Sequence, residues 1–194
     1  LRNLLEDYHL PNNHIFHTLL VSFFIKTFGV LPWIVRLPAF SAIALLIPAM
    51  YGLARRWYGR GAGFIAAGAA AFVPVFSYYA SNGRGYPLYM LFTVLLFWLA
   101  ARLLRNNNLL EWMLWVIIGA LGFWTVPMML YPFGAVCVWI LLAALFDRQA
   151  KQAYGSPLRL IKYLVTGGIS TMLLVILAYL PVLYHSGTRF LFNN

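Results

Sequence analysis

Near the start of the sequence, His14 and His17 stand three residues apart in "PNNHIFHT", directly before an apolar run. On a helix that spacing puts both imidazoles on one face, where they could share a ligand or a metal ion. A third ligand is missing nearby, so substrate contact or interfacial hydrogen bonding accounts for the pair better than zinc does. Carboxylates are scarce: Glu6, Asp7, Glu111 and Asp147 make up all 4 acidic residues. A general base for a hydroxyl, or a carboxylate for a divalent cation, therefore has few possible identities. Glu6 and Asp7 lie closest to the histidines in sequence, although a solvated loop explains an adjacent Glu-Asp pair as well.

Arg84 stands in "SYYASNGRGYPLYM". Gly83 and Gly85 allow the backbone to bend there, Asn82 offers amide donors, and a guanidinium suits bidentate contact with a phosphate. An interfacial Arg reaching up to water or to lipid phosphate is the alternative. Arg36, in "WIVRLPAF", could join Arg84 in an anionic pocket, or pair with Glu6 or Asp7. Tyr78, Tyr79, Tyr86 and Tyr89 crowd the Arg84 turn and would line a groove or form an interfacial aromatic belt.

The elements that must position these residues are apolar runs. Of 194 residues, 63% are hydrophobic and 9% charged, and the mean hydropathy is +0.80. A soluble domain of this size needs a charged shell, so the expected fold is all-α, a polytopic membrane protein. The net charge of +10 does not indicate nucleic-acid binding, because the basic residues sit at the ends of apolar runs and form no patch. Cys137, within an apolar run, is the one cysteine of the sequence, so no disulfide framework or Cys-based metal site is available.

Long apolar segments predict about six transmembrane helices: 37–53, 61–79, 86–104, 112–126, 128–146 and 163–184. Pro127 and Pro132 argue for a break between the fourth and fifth. The segment 15–28 differs, because His14, Thr18, Ser22 and Lys26 recur every four residues with His17 beside them. That stripe predicts an amphipathic helix lying along the surface or packed against a wet site, capped by Asn12 or Asn13 and stopped at Gly29.

With that helix kept on one side, Arg55, Arg56, Arg60, Arg102, Arg105, Arg148, Lys151, Arg159 and Lys162 fall on one face, the expected cytoplasmic one. The opposite face receives Arg2, Lys26, Arg36, Arg84 and Arg189. Residues 1–194 would form one membrane-embedded domain, with 1–36 as an outer loop and surface helix.

Three stretches in order, "PNNHIFHTLL", "FGVLPWIVRLPAFSAIALLIPAMYGLARRWYG" and "SYYASNGRGYPLYMLF", resemble the N-terminal half of bacterial GT-C membrane glycosyltransferases. The similarity is to the family 39-like group related to dolichyl-phosphate-mannose protein mannosyltransferases, over residues 8–105; 106–194 shares only the alternation of spans and loops. The resemblance implies transfer of a sugar from a polyprenyl-phosphate donor to a glycan, lipid or protein acceptor, in a bacterial inner membrane with the site facing the periplasm or exterior. It implies Arg84 and Arg36 at the donor phosphate, and Asn13, His14, His17, Asn82 and Tyr86 in contact with substrate. No cofactor is certain, and a divalent cation is compatible with the chemistry.

In that group the essential carboxylate follows a first span, which this sequence lacks. Leu1 to Asn194 is therefore expected to be a fragment, inactive alone, with its first span and C-terminal part elsewhere and with Glu6 and Asp7 as poor substitutes. Two other classes compete: a transporter or flippase segment, which would need central charges or matched broken helices, and a non-catalytic scaffold, which would need no outer carboxylate.

Overall fold

The computed structural model describes residues 14–186, with side chains described through residue 180. Among these residues the chain is helical and has no strand. The helices are α1 (Ile15–Phe28), α2 (Pro32–Tyr58), α3 (Arg60–Phe72), α4 (Pro74–Ser81), α5 (Tyr86–Leu103), α6 (Leu109–Thr125), α7 (Leu130–Phe146, preceded by a 3-10 turn at Pro127–Met129), α8 (Arg148–Tyr154) and α9 (Pro157–Ser186).

Proline and glycine set most of the boundaries. Leu31 is extended and Pro32 opens α2, a position where a missing N–H costs nothing. Gly59, at φ 89°, turns the chain from α2 into α3 while its N–H caps the Arg55 carbonyl at 3.0 Å. At the basic ends side chains do the capping. Asn108 Oδ1 accepts the Leu110 N–H at 2.9 Å, and Asp147 Oδ1 accepts the Gln149 N–H at 2.8 Å.

The expected span 61–79 is two helices. Val73 is extended and Pro74 restarts the helix, so α3 and α4 meet at a bend of 50°. Proline has no N–H to give and pushes its predecessor out of the helical region, which is the cause of the break. The count of about six changes accordingly. Four helices are long and apolar enough to cross a membrane (Pro32–Tyr58, Tyr86–Leu103, Pro127–Phe146 and Pro157–Leu180), or five if the bent pair is one span. The segment 112–126 belongs to α6, whose 17 residues reach ~26 Å, short of a ~30 Å hydrocarbon layer.

α5 lies at the centre, flanked by α2 and α6 and touched by α7, while α9 packs along α6 and α7. Leu96, Ala100 and Leu103 of α5 are fully buried among Leu46, Trp115, Val136 and Ile140. Small residues bring the backbones close, as is usual where lipid gives no hydrophobic drive between helices. Gly119 faces the Phe133 ring, and Gly122 faces Met129, leaving no room for a Cβ. The outer surfaces carry Phe40, Leu45, Phe64, Ile65, Leu173 and Leu177 exposed, an apolar coat that fits a lipid surrounding.

The bundle has two chemically distinct ends. At one, Arg102 pairs with the buried Glu111 (Nε to Oε1 2.7 Å), Arg105 approaches Asp147 at 3.5 Å, and Arg56 donates to the Ala101 carbonyl at 3.2 Å. The Tyr154 hydroxyl locks the same end, accepting from Trp112 Nε1 and donating to the Leu103 carbonyl, each at 3.0 Å. The helix termini at this end carry the basic cluster expected on one face.

α1 starts and finishes at the other end. His14 meets the C-terminal end of α6, and Phe28 is separated from the start of α2 by three residues. At ~1.5 Å per residue it crosses that end of the bundle instead of running its length.

Candidate functional site

Three chain segments far apart in sequence converge at the end opposite the basic cluster: the start of α1, the Asn82–Gly85 turn, and the last turn of α6. α6 stops at Thr125 because Pro127 cannot continue the hydrogen-bond ladder, which leaves its final carbonyls without helical donors. His14 Nδ1 lies 3.3 Å from the Thr125 carbonyl. A carbonyl only accepts, so Nδ1 carries the proton and Nε2 keeps a lone pair. The Thr125 hydroxyl is spent on the Leu121 carbonyl at 2.8 Å.

The turn fits this imidazole closely. The Tyr86 ring meets it edge-on, with centroids 4.7 Å apart, and Gly85 lies beneath it. A Cβ at position 85 would come within 2.8 Å of both Cβ and Cγ of His14. Gly85 has an ordinary helical backbone, so glycine is needed there for space and not for conformation.

His17 follows three residues on. It is buried, and His14 Nε2, His17 Nε2 and Trp124 Nε1 have no hydrogen-bond partner among the described residues. Buried polar atoms left unpaired cost about 1–3 kcal/mol each. The His14 acceptor and the Trp124 donor are the two kinds of partner that a sugar hydroxyl, which both gives and takes hydrogen bonds, can satisfy.

Burial holds His17 down to about 4, with a smaller contribution from His14. His14 is also lowered, first by burial and then by the charge of Arg84, against an opposing effect of its bond to Thr125. Both rings are therefore neutral near pH 7.

A stability consequence follows for His17. In the unfolded chain it takes up a proton below ~6.5, and in the folded chain only near 4, so stability falls as pH drops through that window. The expected loss is on the order of 3 kcal/mol by pH 4. Thermal unfolding of wild type and His17→Phe between pH 7 and pH 4 checks it: the wild type should lose more on acidification than the variant.

The predicted site residues fall in distinct places. His14, His17 and Tyr86 come together, with Arg84 exposed beside them and close enough to act on His14. Gly83 faces Val35, and a Cβ there would sit 3.8 Å from the Val35 side chain and carbonyl. The Arg84 turn thus lies near the start of α2, where Arg36 is exposed. Asn82 ends α4 and is also exposed. Glu6, Asp7, Asn12 and Asn13 lie outside the described residues.

The amphipathic stripe takes a different form from the one expected. His14 and His17 face the bundle, Thr18 bonds back to the His14 carbonyl at 3.0 Å, and of the stripe only Lys26 is exposed. Phe23 and Phe28 are exposed as well, so α1 has no clean polar face. His14 itself occupies the N-cap position without a side-chain cap, and Gly29 stops the helix as predicted.

Sequence reasoning missed the Thr125 carbonyl and Trp124. The only available signal was Pro127, which ends α6 and frees carbonyls. Among the described residues no three His, Cys, Asp or Glu side chains cluster in a way that would hold a metal ion.

The family model for dolichyl-phosphate-mannose-protein mannosyltransferases matches residues 12–185. Comparison with curated proteins and with solved structures returned no match.

Proposed function

We propose that this chain, which belongs to the dolichyl-phosphate-mannose-protein mannosyltransferase family, transfers a sugar at the His14–Tyr86–Arg84 cluster. The family consists of membrane glycosyltransferases that use polyprenyl-phosphate sugar donors. The observation that carries the assignment to this cluster is the convergence of two neutral imidazoles, whose buried Nε2 atoms have no hydrogen-bond partner among the described residues, with an exposed guanidinium, at the end away from the basic cluster. The positive-inside bias supports a non-cytoplasmic position for that end, facing the periplasm or exterior.

In the reaction an acceptor oxygen forms a bond to the anomeric carbon, and the bond from that carbon to the lipid phosphate breaks. The acceptor proton passes to a carboxylate, Glu6, Asp7 or one outside residues 1–194, and the polyprenyl phosphate leaves as an anion. Arg84, with Arg36 beside it, neutralises the phosphate as its charge grows. His14 Nε2 accepts a hydrogen bond from a sugar or acceptor hydroxyl, His17 offers a second neutral imidazole, and Asn82 and Tyr86 add contacts, with Asn13 a further contact expected from the sequence. The Thr125 carbonyl fixes the His14 tautomer in the form that leaves Nε2 open.

His14→Ala tests this directly. In the full-length protein, transfer from a polyprenyl-phosphate-linked sugar should fall about 10-fold or more, as loss of a hydrogen bond to a reacting substrate implies. Unchanged kcat/KM would move the site elsewhere.

A further inference from the structure

We propose that a pocket at the basic end of the bundle, between the ends of α2, α5 and α7, holds the phosphate of an anionic membrane phospholipid. The pocket has a volume of about 290 Å3, room for a headgroup and less than a drug-sized ligand needs. It lies at the end opposite the histidine cluster, and its role does not depend on the transfer reaction.

The walls come from the terminal residues of three helices that are long and apolar enough to span a membrane. Arg56 and Trp57 stand in the last turn of α2, and Ala101 stands in the last turn of α5 with Arg105 just beyond it. Trp139 comes from α7, and Asp147 follows that helix. Trp57 meets Trp139 edge-on, with ring centroids 5.6 Å apart and an interplanar angle of 86°, so a rigid aromatic corner ties the α2 wall to the α7 wall. The ends of spans lie at headgroup depth, where Trp and Arg collect.

The guanidiniums are anchored without being fully neutralised. Arg56 donates from Nη2 to the Ala101 carbonyl at 3.2 Å and has no ion pair among the described residues. Arg105 bonds Gln149 Oε1 and lies 3.5 Å from Asp147 Oδ2, while Asp147 Oδ1 is already engaged by the Gln149 N–H as the cap of α8. The C-terminal carbonyls of α2, α5 and α7 add partial negative charge at this end. They are outweighed. Arg55, Arg60, Arg148, Lys151, Arg159 and Lys162 stand here as well, against only Glu111 and Asp147 among the described carboxylates, and Glu111 is spent on Arg102.

Topology by itself asks for positive charge on one side, which the exposed Arg159 and Lys162 supply without lining this pocket. Two guanidiniums lining one recess between spans match instead the fork geometry and the charge of a lipid phosphate. Tyr58 beside Trp57, and Leu142, Leu145 and Phe146 in the last turns of α7, are exposed, an apolar rim along which acyl chains can lie. A free phosphate offers the guanidiniums the same oxygens. A lipid delivers them at the depth where the spans end, tethered to chains that cover the rim.

The test titrates full-length protein in detergent with phosphatidylglycerol, with phosphatidylcholine of the same chains, or with inorganic phosphate. Native mass spectrometry follows the first lipid bound, and thermal unfolding follows stability. Phosphatidylglycerol should bind at least 10-fold more tightly than phosphatidylcholine and raise the unfolding temperature, whereas inorganic phosphate at the same concentration should leave it unchanged. Arg56→Gln keeps a donor for the Ala101 carbonyl but removes the charge. It should weaken phosphatidylglycerol binding about 10-fold, as loss of one charge-assisted hydrogen bond implies. Arg159→Gln removes an equal charge outside the pocket and should stay within 2-fold. Arg105→Gln provides the same contrast if Arg56→Gln does not fold.

Equal losses in the Arg56 and Arg159 variants would reduce the effect to diffuse attraction between a basic surface and acidic lipid, and would overturn the pocket. Equal binding of phosphatidylcholine would remove the selectivity for negative charge. Displacement of phosphatidylglycerol by an equal concentration of inorganic phosphate would assign the pocket to a soluble phosphate and overturn the lipid.

Discussion

Arg84→Ala is expected to reduce sugar transfer by the full-length enzyme about 100-fold or more, the range found when one charge-stabilising donor is removed from a transition state. The leaving phosphate gains charge as the glycosidic bond breaks, and a guanidinium beside it offsets that charge. Arg84 is exposed, and no hydrogen bond or ion pair from its side chain holds another element in place among the described residues. Insertion and thermal stability should therefore stay near wild type, within about 0.5 kcal/mol. Arg84→Lys should recover part of the activity, because a point charge replaces a bidentate fork. A second readout separates a local electrostatic role from a general one: the His14 imidazole should titrate higher in the alanine variant, since Arg84 depresses it. Wild-type turnover in Arg84→Ala would exclude this residue from the site.

The second large effect concerns Gly85. Any side chain there meets His14 at its Cβ and Cγ, within 2.8 Å, and these atoms cannot swing aside as a flexible tip could. Gly85→Ala must displace either the turn carrying Arg84 or the start of α1. Either movement breaks the 3.3 Å contact between His14 and Thr125 and the edge contact with Tyr86. Overpacking of this kind costs about 1–3 kcal/mol, and transfer should fall at least as far as in His14→Ala. Adding His14→Gly removes the clashing atoms while keeping an acceptable N-cap residue. The double variant should therefore regain the stability that Gly85→Ala loses, yet remain poorly active. A Gly85→Ala protein as stable and active as wild type would mean that the turn and α1 do not pack together in this way.

Much of the architecture is legible in composition, because a bilayer imposes one solution on the backbone: satisfy every peptide group within a helix. The basic residues at alternating helix ends already separate the two ends of the bundle. Helix count is harder to read. Hydropathy treats 61–79 as continuous because Pro74 sits among apolar neighbours, and only the backbone reveals that the chain turns there. α6 is apolar enough for a span, yet it is cut short by Asn108 at one end and Pro127 at the other.

The candidate site shows the same division. The residue types allow substrate or interfacial contact for His14 and His17, phosphate or lipid contact for Arg84, and a groove or an aromatic belt for Tyr86; the structure brings the four side by side. The stripe in α1 established that His14, Thr18, Ser22 and Lys26 share a face but not that its first turn points inward. That direction depends on a free carbonyl 111 positions away and on a glycine with room beneath the ring, neither of which local periodicity contains. Glu111 offers a parallel case: its partner Arg102 lies nine residues earlier, across the α5–α6 turn, and the pair closes the opposite end of the bundle.

The central claim is that a lipid-phosphate sugar is consumed at the end of the bundle built by His14, Tyr86 and Arg84. The most direct measurement supplies the full-length protein, reconstituted in sealed vesicles, with a polyprenyl-phosphate donor labelled in the sugar, and follows label in product and free polyprenyl phosphate together. Equimolar appearance of transferred sugar and polyprenyl phosphate, abolished or nearly so in Arg84→Ala and strongly reduced in His14→Ala, is the predicted result. Movement of the donor or a solute across the vesicle without cleavage of the sugar–phosphate bond, or transfer indifferent to both substitutions, would contradict it.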